Sequence, residues 1–304
     1  MRDFDVAVLG AGVAGTMAAT IAARHGLSVC VIERLGAGGQ VMNVDNVHNF
    51  PGFPEGIAGY ELGPLLQQQA EDAGAEFLLD TLQTLEVDGH YRLLKAADET
   101  IRARAVIVAT GSEKKTLGVP GESALQGRGV SHCASCDGPL FRGRQVCVVG
   151  GGDSALEEAL SLAAHAGKVT IIHRGAEFTA QKYLADRIAA TANVDVLFNH
   201  EVVEIFGDSI VEAVSVHNLA TGSIERRPTE GVFIYIGLAP QTGFLPDTVH
   251  LDAAGRIQTD SMMQTSLAGV FAAGDVRSDS VALLACSAGD GATAAVMAHR
   301  YVRS

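Results

Sequence analysis

Two stretches of this sequence repeat one pattern: a short apolar run, a glycine-rich turn, a helical stretch and a second apolar run. In the first copy Asp5-Val6-Ala7-Val8-Leu9 leads into Gly10-Ala11-Gly12-Val13-Ala14-Gly15. An Ala-rich stretch with helical spacing follows to Arg24, then an apolar run from Ser28 to Ile32 that ends in Glu33. In the second copy Gln145-Val146-Cys147-Val148-Val149 leads into Gly150-Gly151-Gly152-Asp153-Ser154-Ala155, a helical stretch to about Ala164, and Val169-Thr170-Ile171-Ile172. Both read as strand, tight turn, helix, strand, the nucleotide-binding βαβ unit whose glycines let the backbone approach a pyrophosphate. The predicted fold class is therefore α/β, with two Rossmann-like dinucleotide-binding domains.

The copies differ where a dinucleotide is told apart. Glu33 stands 23 residues after Gly10, where an acid accepts hydrogen bonds from a free ribose 2′-hydroxyl and repels a phosphate. The same position in the second copy is His173, followed by Arg174, and cations there attract a 2′-phosphate. One chain is thus expected to hold two dinucleotides, the first like FAD and the second like NADP(H). The first unit is interrupted and then resumed: Ala105-Val106-Ile107-Val108-Ala109-Thr110-Gly111 reads as a strand before the second unit, and Gly269-Val270-Phe271-Ala272-Ala273-Gly274-Asp275 as its late partner. The Asp275 carboxylate suits a sugar-like chain, with a plain helix cap as the alternative. An Ala/Gly-rich helix is expected from about Ala282 to Tyr301, short strands between Glu201 and Ile236, and crossings near Lys115–Leu117 and Gln241–Leu245.

Length and composition agree with two globular domains. The chain has 304 residues, 47% hydrophobic and 19% charged, enough apolar surface to exclude disorder. A formal charge of -13 repels phosphate backbones and anionic lipid, so no nucleic acid or membrane partner is expected. No apolar run reaches the 18 or so residues a bilayer requires, and Met1-Arg2-Asp3-Phe4-Asp5 lacks a secretory design, so a cytoplasmic location is expected.

Five cysteines are too few and too scattered for a disulfide scaffold; Cys30, Cys147 and Cys286 sit in apolar or small-residue surroundings that suit core thiols. Cys133-Ala134-Ser135-Cys136, just upstream of the second glycine-rich turn, reads as a redox pair. Structural zinc and inert thiols are the rivals. Zinc wants a second ligand pair, and no such motif accompanies this one, so no metal is expected. Asp137 follows directly and suits a proton relay to a departing thiolate, or else a helix cap.

Two dinucleotide units with a dithiol between them resemble the low-molecular-weight thioredoxin reductases. Gly38-Gly39-Gln40, Asn49-Phe50-Pro51-Gly52, Ala109-Thr110-Gly111 and Cys133-Ala134-Ser135-Cys136-Asp137-Gly138 look like that family's motifs, in its order and along nearly the whole chain. The resemblance implies an FAD-binding domain at 1–117 and 246–304, an NAD(P)H-binding domain at 118–245 carrying the dithiol, and a homodimer. Gly10, Gly12, Ala14, Gly15 and Glu33 would hold the adenosine half of FAD, with Gly39, Ala109, Thr110, Gly111 and Gly274 around it. Gln40 and Asn49 would approach the flavin end, and Asp275 the ribityl chain. Gly150, Gly152, Asp153, Ser154, Ala155, His173, Arg174 and Gly237 would hold NADPH. Cys136 would face the flavin, Cys133 attack the substrate disulfide, and Asp137 serve as acid and base. The implied activity passes electrons from NADPH through FAD and the Cys133–Cys136 dithiol to thioredoxin or a thioredoxin-like protein, with hinges near Leu117 and Leu245.

Two departures stand out. The family's 2′-phosphate clamp usually reads His-Arg-Arg with a further Arg four positions on, whereas this chain has His173-Arg174-Gly175 and Thr179. The usual Arg-Gln before a Ser-Ala-Gly turn is Ala282-Leu283 before Ser287-Ala288-Gly289. Weakened discrimination against NADH is expected, with Lys182 a possible compensating cation. The alternatives are a disulfide reductase fed by NADH or ferredoxin, an oxygen-dependent oxidase of small-molecule dithiols and, from another class, a redox sensor.

Overall fold

The computed structural model describes residues 1–304 apart from Asp45, and every side chain but those of Asn43, Asp45, Ser135 and Cys136. The chain divides into two compact units, Met1–Glu113 with Ala239–Ser304, and Lys114–Leu238. The crossings fall a few residues before the positions near 117 and 245 suggested by the sequence. The short strands Ser112–Lys114 and Leu238–Pro240 lie there and pair with each other.

In the first unit the sheet runs in the order Glu76–Leu79, Val29–Glu33, Arg2–Leu9, Thr100–Val108, Tyr91–Ala96, Leu82–Asp88. The first four strands are parallel and the last two antiparallel. Thr100–Val108 serves two partners on one edge. Its first half pairs with Tyr91–Ala96, and Val106, Ile107 and Val108 pair in parallel with Val270, Phe271 and Ala272. Val6–Leu9, Val29–Ile32 and Ala105–Val108 are buried throughout, which is why they read as unbroken apolar runs: a parallel strand is covered on both faces. One face carries the helices Val13–Arg24 and Leu284–Arg303, packed through Ala18, Ala19 and Ala22 and through Ala294, Ala295 and Ala298. The two helices approach so closely that a Cβ at Gly291 would strike the Ala14 carbonyl. The other face is covered by Leu85, Leu94, Val249, Ile257 and Val276. The last helix begins two residues later than its composition suggests, because Ala282 has φ of 56° and Leu283 is extended.

The second unit repeats the parallel core. Its order is Val194–Phe198, Lys168–His173, Gln145–Val149, Gly231–Ile234, Val130–Ser131, all parallel. The strand before the glycine-rich turn again lies between the strand that follows the helix and a later one, so the sequence repeat is a repeat of topology. Helices Asp153–Ala163 and Lys182–Ala189 pack on it through Leu156, Leu162, Leu184 and Ile188. An antiparallel meander, His200–Phe206, Ala213–Asn218 and Ile224–Pro228, completes the unit. In such sheets ligands bind beyond the carboxyl ends of the central strands, where strand order reverses. Among the described residues no helix is long and apolar enough to cross a membrane.

Candidate active site

At the carboxyl end of Arg2–Leu9 the chain turns sharply into the helix Val13–Arg24. Gly10 has φ of 96° and lies against the neighbouring strand end, so that a Cβ there would sit 2.5 Å from the Ala109 carbonyl. A Cβ at Gly15 would strike the Gly10 carbonyl. At Gly12, the N-cap, an added Cβ meets nothing within 4 Å. The turn is therefore closed behind and open in front of the helix N-terminus, whose free N–H groups and dipole suit a pyrophosphate. The Glu33 carboxylate sits beside it, accepting the Ala11 N–H at 2.9 Å and the Leu35 N–H at 3.0 Å. A carboxylate has about four acceptor positions, so ribose hydroxyls can share the group.

The other first-unit residues singled out by the sequence gather on this turn, with one exception. A Cβ at Gly39 would lie 3.3 Å from the Gly12 Cα, and one at Gly274 3.0 Å from the Ala14 Cβ. Gln40 donates from Nε2 to the Ser112 carbonyl at 2.9 Å, and Thr110 from Oγ1 to the Gln241 carbonyl at 2.8 Å. Gly111 has φ of 64° with open space beside it. Asp275 lies in the short turn Gly274–Val276; its Oδ1 accepts from Ser280 Oγ at 3.1 Å, and the N-cap there is Ala273, which removes the simple cap reading. Asn49 is exposed, and no hydrogen bond among the described residues ties it to the cluster. Glycines placed where side chains cannot fit, an open helix start and a carboxylate at its side fit a dinucleotide whose ribose carries a free 2′-hydroxyl.

The second cradle has the same backbone with different edges. Gly150 has φ of 148°, and a Cβ there would strike the Tyr235 carbonyl and crowd the Ala155 Cβ at 2.9 Å. Gly152 caps the helix, facing Thr179 Oγ1 across 3.8 Å from where its Cβ would be. Asp153 accepts from Gln181 through both its side-chain amide at 2.9 Å and its backbone N–H at 2.7 Å, and these bonds hold its carboxyl below the usual range. Ser154 is exposed, and Gly237, with φ of 101°, is open on its outer side. His173 is packed over Gly151, tilted against Phe178 and edge-on to Phe198, with Nε2 3.0 Å from the Glu177 carbonyl. Arg174 is exposed and has no ion-pair partner among the described residues. Lys182, by contrast, is held by Asp186 at 2.6 Å, and Thr179 Oγ1 donates to the Gly151 carbonyl at 3.2 Å. Arg174 is thus the cation at this strand end without an ion-pair partner among the described residues.

The dithiol segment is a single turn, Ala134–Asp137, running into the 3-10 helix Gly138–Phe141. Cys133 is in a disulfide, while Cys30, Cys147 and Cys286 are free. The Cys136 side chain, named by the sequence as its partner, lies outside the described residues. Ser131 Oγ accepts the Cys133 N–H at 3.0 Å, and the Cys133 carbonyl accepts the Asp137 N–H at 3.1 Å. Among the described residues the Asp137 side chain makes no capping bond. Burial pushes the Cys30 and Cys147 thiols up to about 12, as core thiols behave, whereas Cys286 is only half buried. Among the described residues no group of three or more His, Cys, Asp or Glu side chains is placed to hold a metal ion.

A family model described as pyridine nucleotide-disulphide oxidoreductase matches residues 4–296, taking in both cradles and the dithiol turn. The chain belongs to the pyridine nucleotide-disulphide oxidoreductase family. It is 42% identical over 303 residues to a thioredoxin reductase of Listeria innocua, covering 99% of this chain and 94% of that protein. A thioredoxin reductase of Bacillus subtilis is also 42% identical over 303 residues, at 99% and 95% coverage. Among solved structures, thioredoxin reductase of Lactococcus lactis superposes with a TM-score of 0.90 at 36% identity, covering 99% of each chain. Membership of this family, at these identities, makes the chain a flavoprotein disulfide reductase of the thioredoxin reductase kind, served by a flavin and a nicotinamide cofactor.

The first cradle is braced here by groups that sequence reasoning passed over. Asp290, buried in the last helix, accepts the Gly274 N–H at 3.1 Å and pairs with Arg277 at 2.6 Å, and Ser112 Oγ donates to the Asp275 carbonyl at 3.0 Å. The one signal for Asp290 was an acid inside an Ala/Gly-rich helix, a position that needs a partner once buried.

Proposed function

We propose that this chain carries electrons from NADPH, through FAD held by the Gly10–Gly15 cradle, to the Cys133–Cys136 pair and on to the disulfide of thioredoxin or a thioredoxin-like protein. The observation that carries the reading is the pairing of two dinucleotide cradles, one edged by Glu33 and one by His173 and Arg174, with an oxidised Cys133. FAD, when bound, supplies the two-electron exchange between a nicotinamide and a disulfide. The chain's own residues do the rest. Gly10, Gly12, Ala14 and Gly15 admit the pyrophosphate and Glu33 the ribose, while Gly39, Gln40, Ala109, Thr110, Gly111, Gly274 and Asp275 surround the cradle, with Asn49 at the flavin end. Gly150, Gly152, Asp153, Ser154, Ala155 and Gly237 line the nicotinamide dinucleotide's cradle, and Arg174 attracts its 2′-phosphate.

In the thiol step the Cys133 thiolate attacks one sulfur of the substrate disulfide. A Cys133–substrate bond forms as the substrate's own S–S bond breaks, and Asp137 delivers the proton to the sulfur that leaves. With one free cation at the phosphate end, preference for NADPH over NADH is modest. The functional units proposed are an FAD-binding domain from Met1–Glu113 with Ala239–Ser304 and an NAD(P)H-binding domain from Lys114–Leu238, assembled as a homodimer and working in the cytoplasm.

The test is an anaerobic titration of the yellow protein with NADPH and, in parallel, NADH, following visible absorbance. Bleaching by NADPH and recovery on adding oxidised thioredoxin are expected, and Cys133→Ser should bleach without recovery. Bleaching by a dithiol but by neither nucleotide would overturn the reading in favour of a dithiol oxidase. Light scattering on the same sample reads the dimer.

A further inference from the structure

The turn that carries Cys133 is gripped from both sides by groups the proposed mechanism does not use. Lys114, where the chain enters the second unit, donates from Nζ to the His132 carbonyl. Tyr235, one residue past the strand Gly231–Ile234, accepts the Ala134 N–H at its hydroxyl at 2.9 Å. The peptide groups before and after Cys133 are therefore both fixed. His132 is itself held, with Nδ1 3.1 Å from the Ile234 carbonyl. The Glu158 charge, from the helix Asp153–Ala163, acts on the Tyr235 hydroxyl, and the Lys114 ammonium lies 5.8 Å from the Tyr235 ring centroid.

These groups form a small half-buried cluster of mixed charge. Burial lowers the Lys114 pKa, with Glu158 acting against it, and burial first, then the Glu158 charge, raises that of Tyr235. The ionisable groups around the Cys133 turn are Lys114 from the entry strand, His132 and Asp137 from the turn, Glu158 from the helix, Tyr235 from the strand end, and His165, beside Gly138. Lys114 is the one fixed cation in that set, and a cation close to a cysteine favours its thiolate. The carboxylates of Glu158 and Asp137 act the other way, and the ammonium is tied to the peptide group directly before Cys133.

We propose that Lys114 is a positioning residue for the thiol step: fixed on the His132 carbonyl, opposite Tyr235 on the Ala134 N–H, it holds the Cys133 turn and favours the Cys133 thiolate in the reduced protein. The inference rests on the reading of Cys133 as the thiol that meets the substrate. In the step concerned the thiolate bonds to one substrate sulfur, the other leaves with a proton, and Cys136 then displaces the bound sulfur. The substrate disulfide gains two electrons and the dithiol loses two.

The experiment uses the flavin-loaded protein in a Cys136→Ser background, reduced anaerobically, with iodoacetamide alkylation of the Cys133 peptide followed by mass spectrometry from pH 5 to 10. Lys114→Met is expected to raise the alkylation midpoint by about one pH unit and so slow alkylation at pH 7 roughly tenfold, since one unit is a factor of ten in thiolate. Lys114→Arg should restore both, and Tyr235→Phe should raise the midpoint by a smaller step. A midpoint unchanged in Lys114→Met overturns the proposal, as does failure of Lys114→Arg to restore it. If Lys114→Met does not fold, an unchanged midpoint in Tyr235→Phe overturns it instead. Full thioredoxin reduction by Cys133→Ser would sink the functional reading while leaving this pH profile as it is, so the two failures are separable.

Discussion

Replacing Asp290 by Ala removes the acceptor at the centre of the first cradle's brace. The carboxylate takes three bonds: Arg277 Nε at 2.6 Å, Arg277 Nη2 at 3.1 Å and the Gly274 N–H at 3.1 Å. The two side chains are only 15% and 11% exposed, so solvent screens the pair little. Breaking a buried pair from one side leaves a charge without a partner, at a cost of about 3–5 kcal/mol. The stranded Gly274 N–H adds to that, and the residual exposure of Arg277 offsets it, so about 4 kcal/mol is expected. With a denaturant slope of about 3 kcal/mol per molar urea, the midpoint should fall by a little over about 1 M. The assay is urea unfolding by far-ultraviolet circular dichroism, with flavin fluorescence in parallel. Because Gly274 lies against Ala14, flavin should also be released earlier than in the parent protein. The control is Asp186→Ala, which breaks the exposed pair with Lys182 and should cost less than about 1 kcal/mol. The double replacement Arg277→Met with Asp290→Leu, which leaves no stranded charge, should recover most of the loss. An Asp290→Ala variant no less stable than Asp186→Ala, or a double variant no better than the single one, would refute the reasoning.

Other perturbations test other parts of the molecule. Arg174→Ala should weaken NADPH binding by roughly 1.5–3 kcal/mol, the usual range for a hydrogen bond to a charged group, and leave NADH binding unchanged in the same titration calorimetry. For Asp80, burial raises the carboxyl pKa, but the Asp98, Thr81 and Ala97 N–H groups outweigh it and the net shift is downward. Its stabilising contribution is therefore present above the unfolded carboxylate pKa of about 3.9 and lost as pH falls through the folded value; Asp80→Asn should lower the melting temperature at pH 7 and much less at pH 2.5. Alkylation of the native reduced protein should label Cys286 while sparing Cys30 and Cys147, whose thiols burial holds near 12, until denaturant is added.

The features legible in the sequence were those whose physics is local. Gly10 and Gly150 announce themselves because only glycine accepts their positive φ with a carbonyl at the back. The Val6–Leu9 and Val146–Val149 strands show as apolar runs because both faces are covered. Glu33 is reached by counting from a turn, since strand, helix and strand lengths are fixed by the unit they build. What escaped depends on the tertiary path. Nothing local joins Arg277 to Asp290, Tyr235 to Ala134, or Lys114 to the His132 carbonyl. The start of the last helix is hidden for a related reason: alanine is a good helix former, yet Ala282 takes positive φ with its N–H on Ser280 Oγ, itself bonded to Asp275.

Pairing of Val270–Ala272 with Val106–Val108 has a consequence for the order of assembly. The first unit's sheet cannot close until Val270–Ala272 has been made, whereas Lys114–Leu238 is continuous and holds all strands of its own core. Left unfolded, that insertion is a long loop whose ends must be gathered at an entropic cost that grows with the logarithm of its length. Once folded, its ends are tied by the Lys115 N–H to Gly237 carbonyl bond of 2.9 Å, and the two halves of the first unit meet across what is in effect a tight turn. The Gly274 turn of the first cradle is then reached by a chain that has already been brought back to where it left.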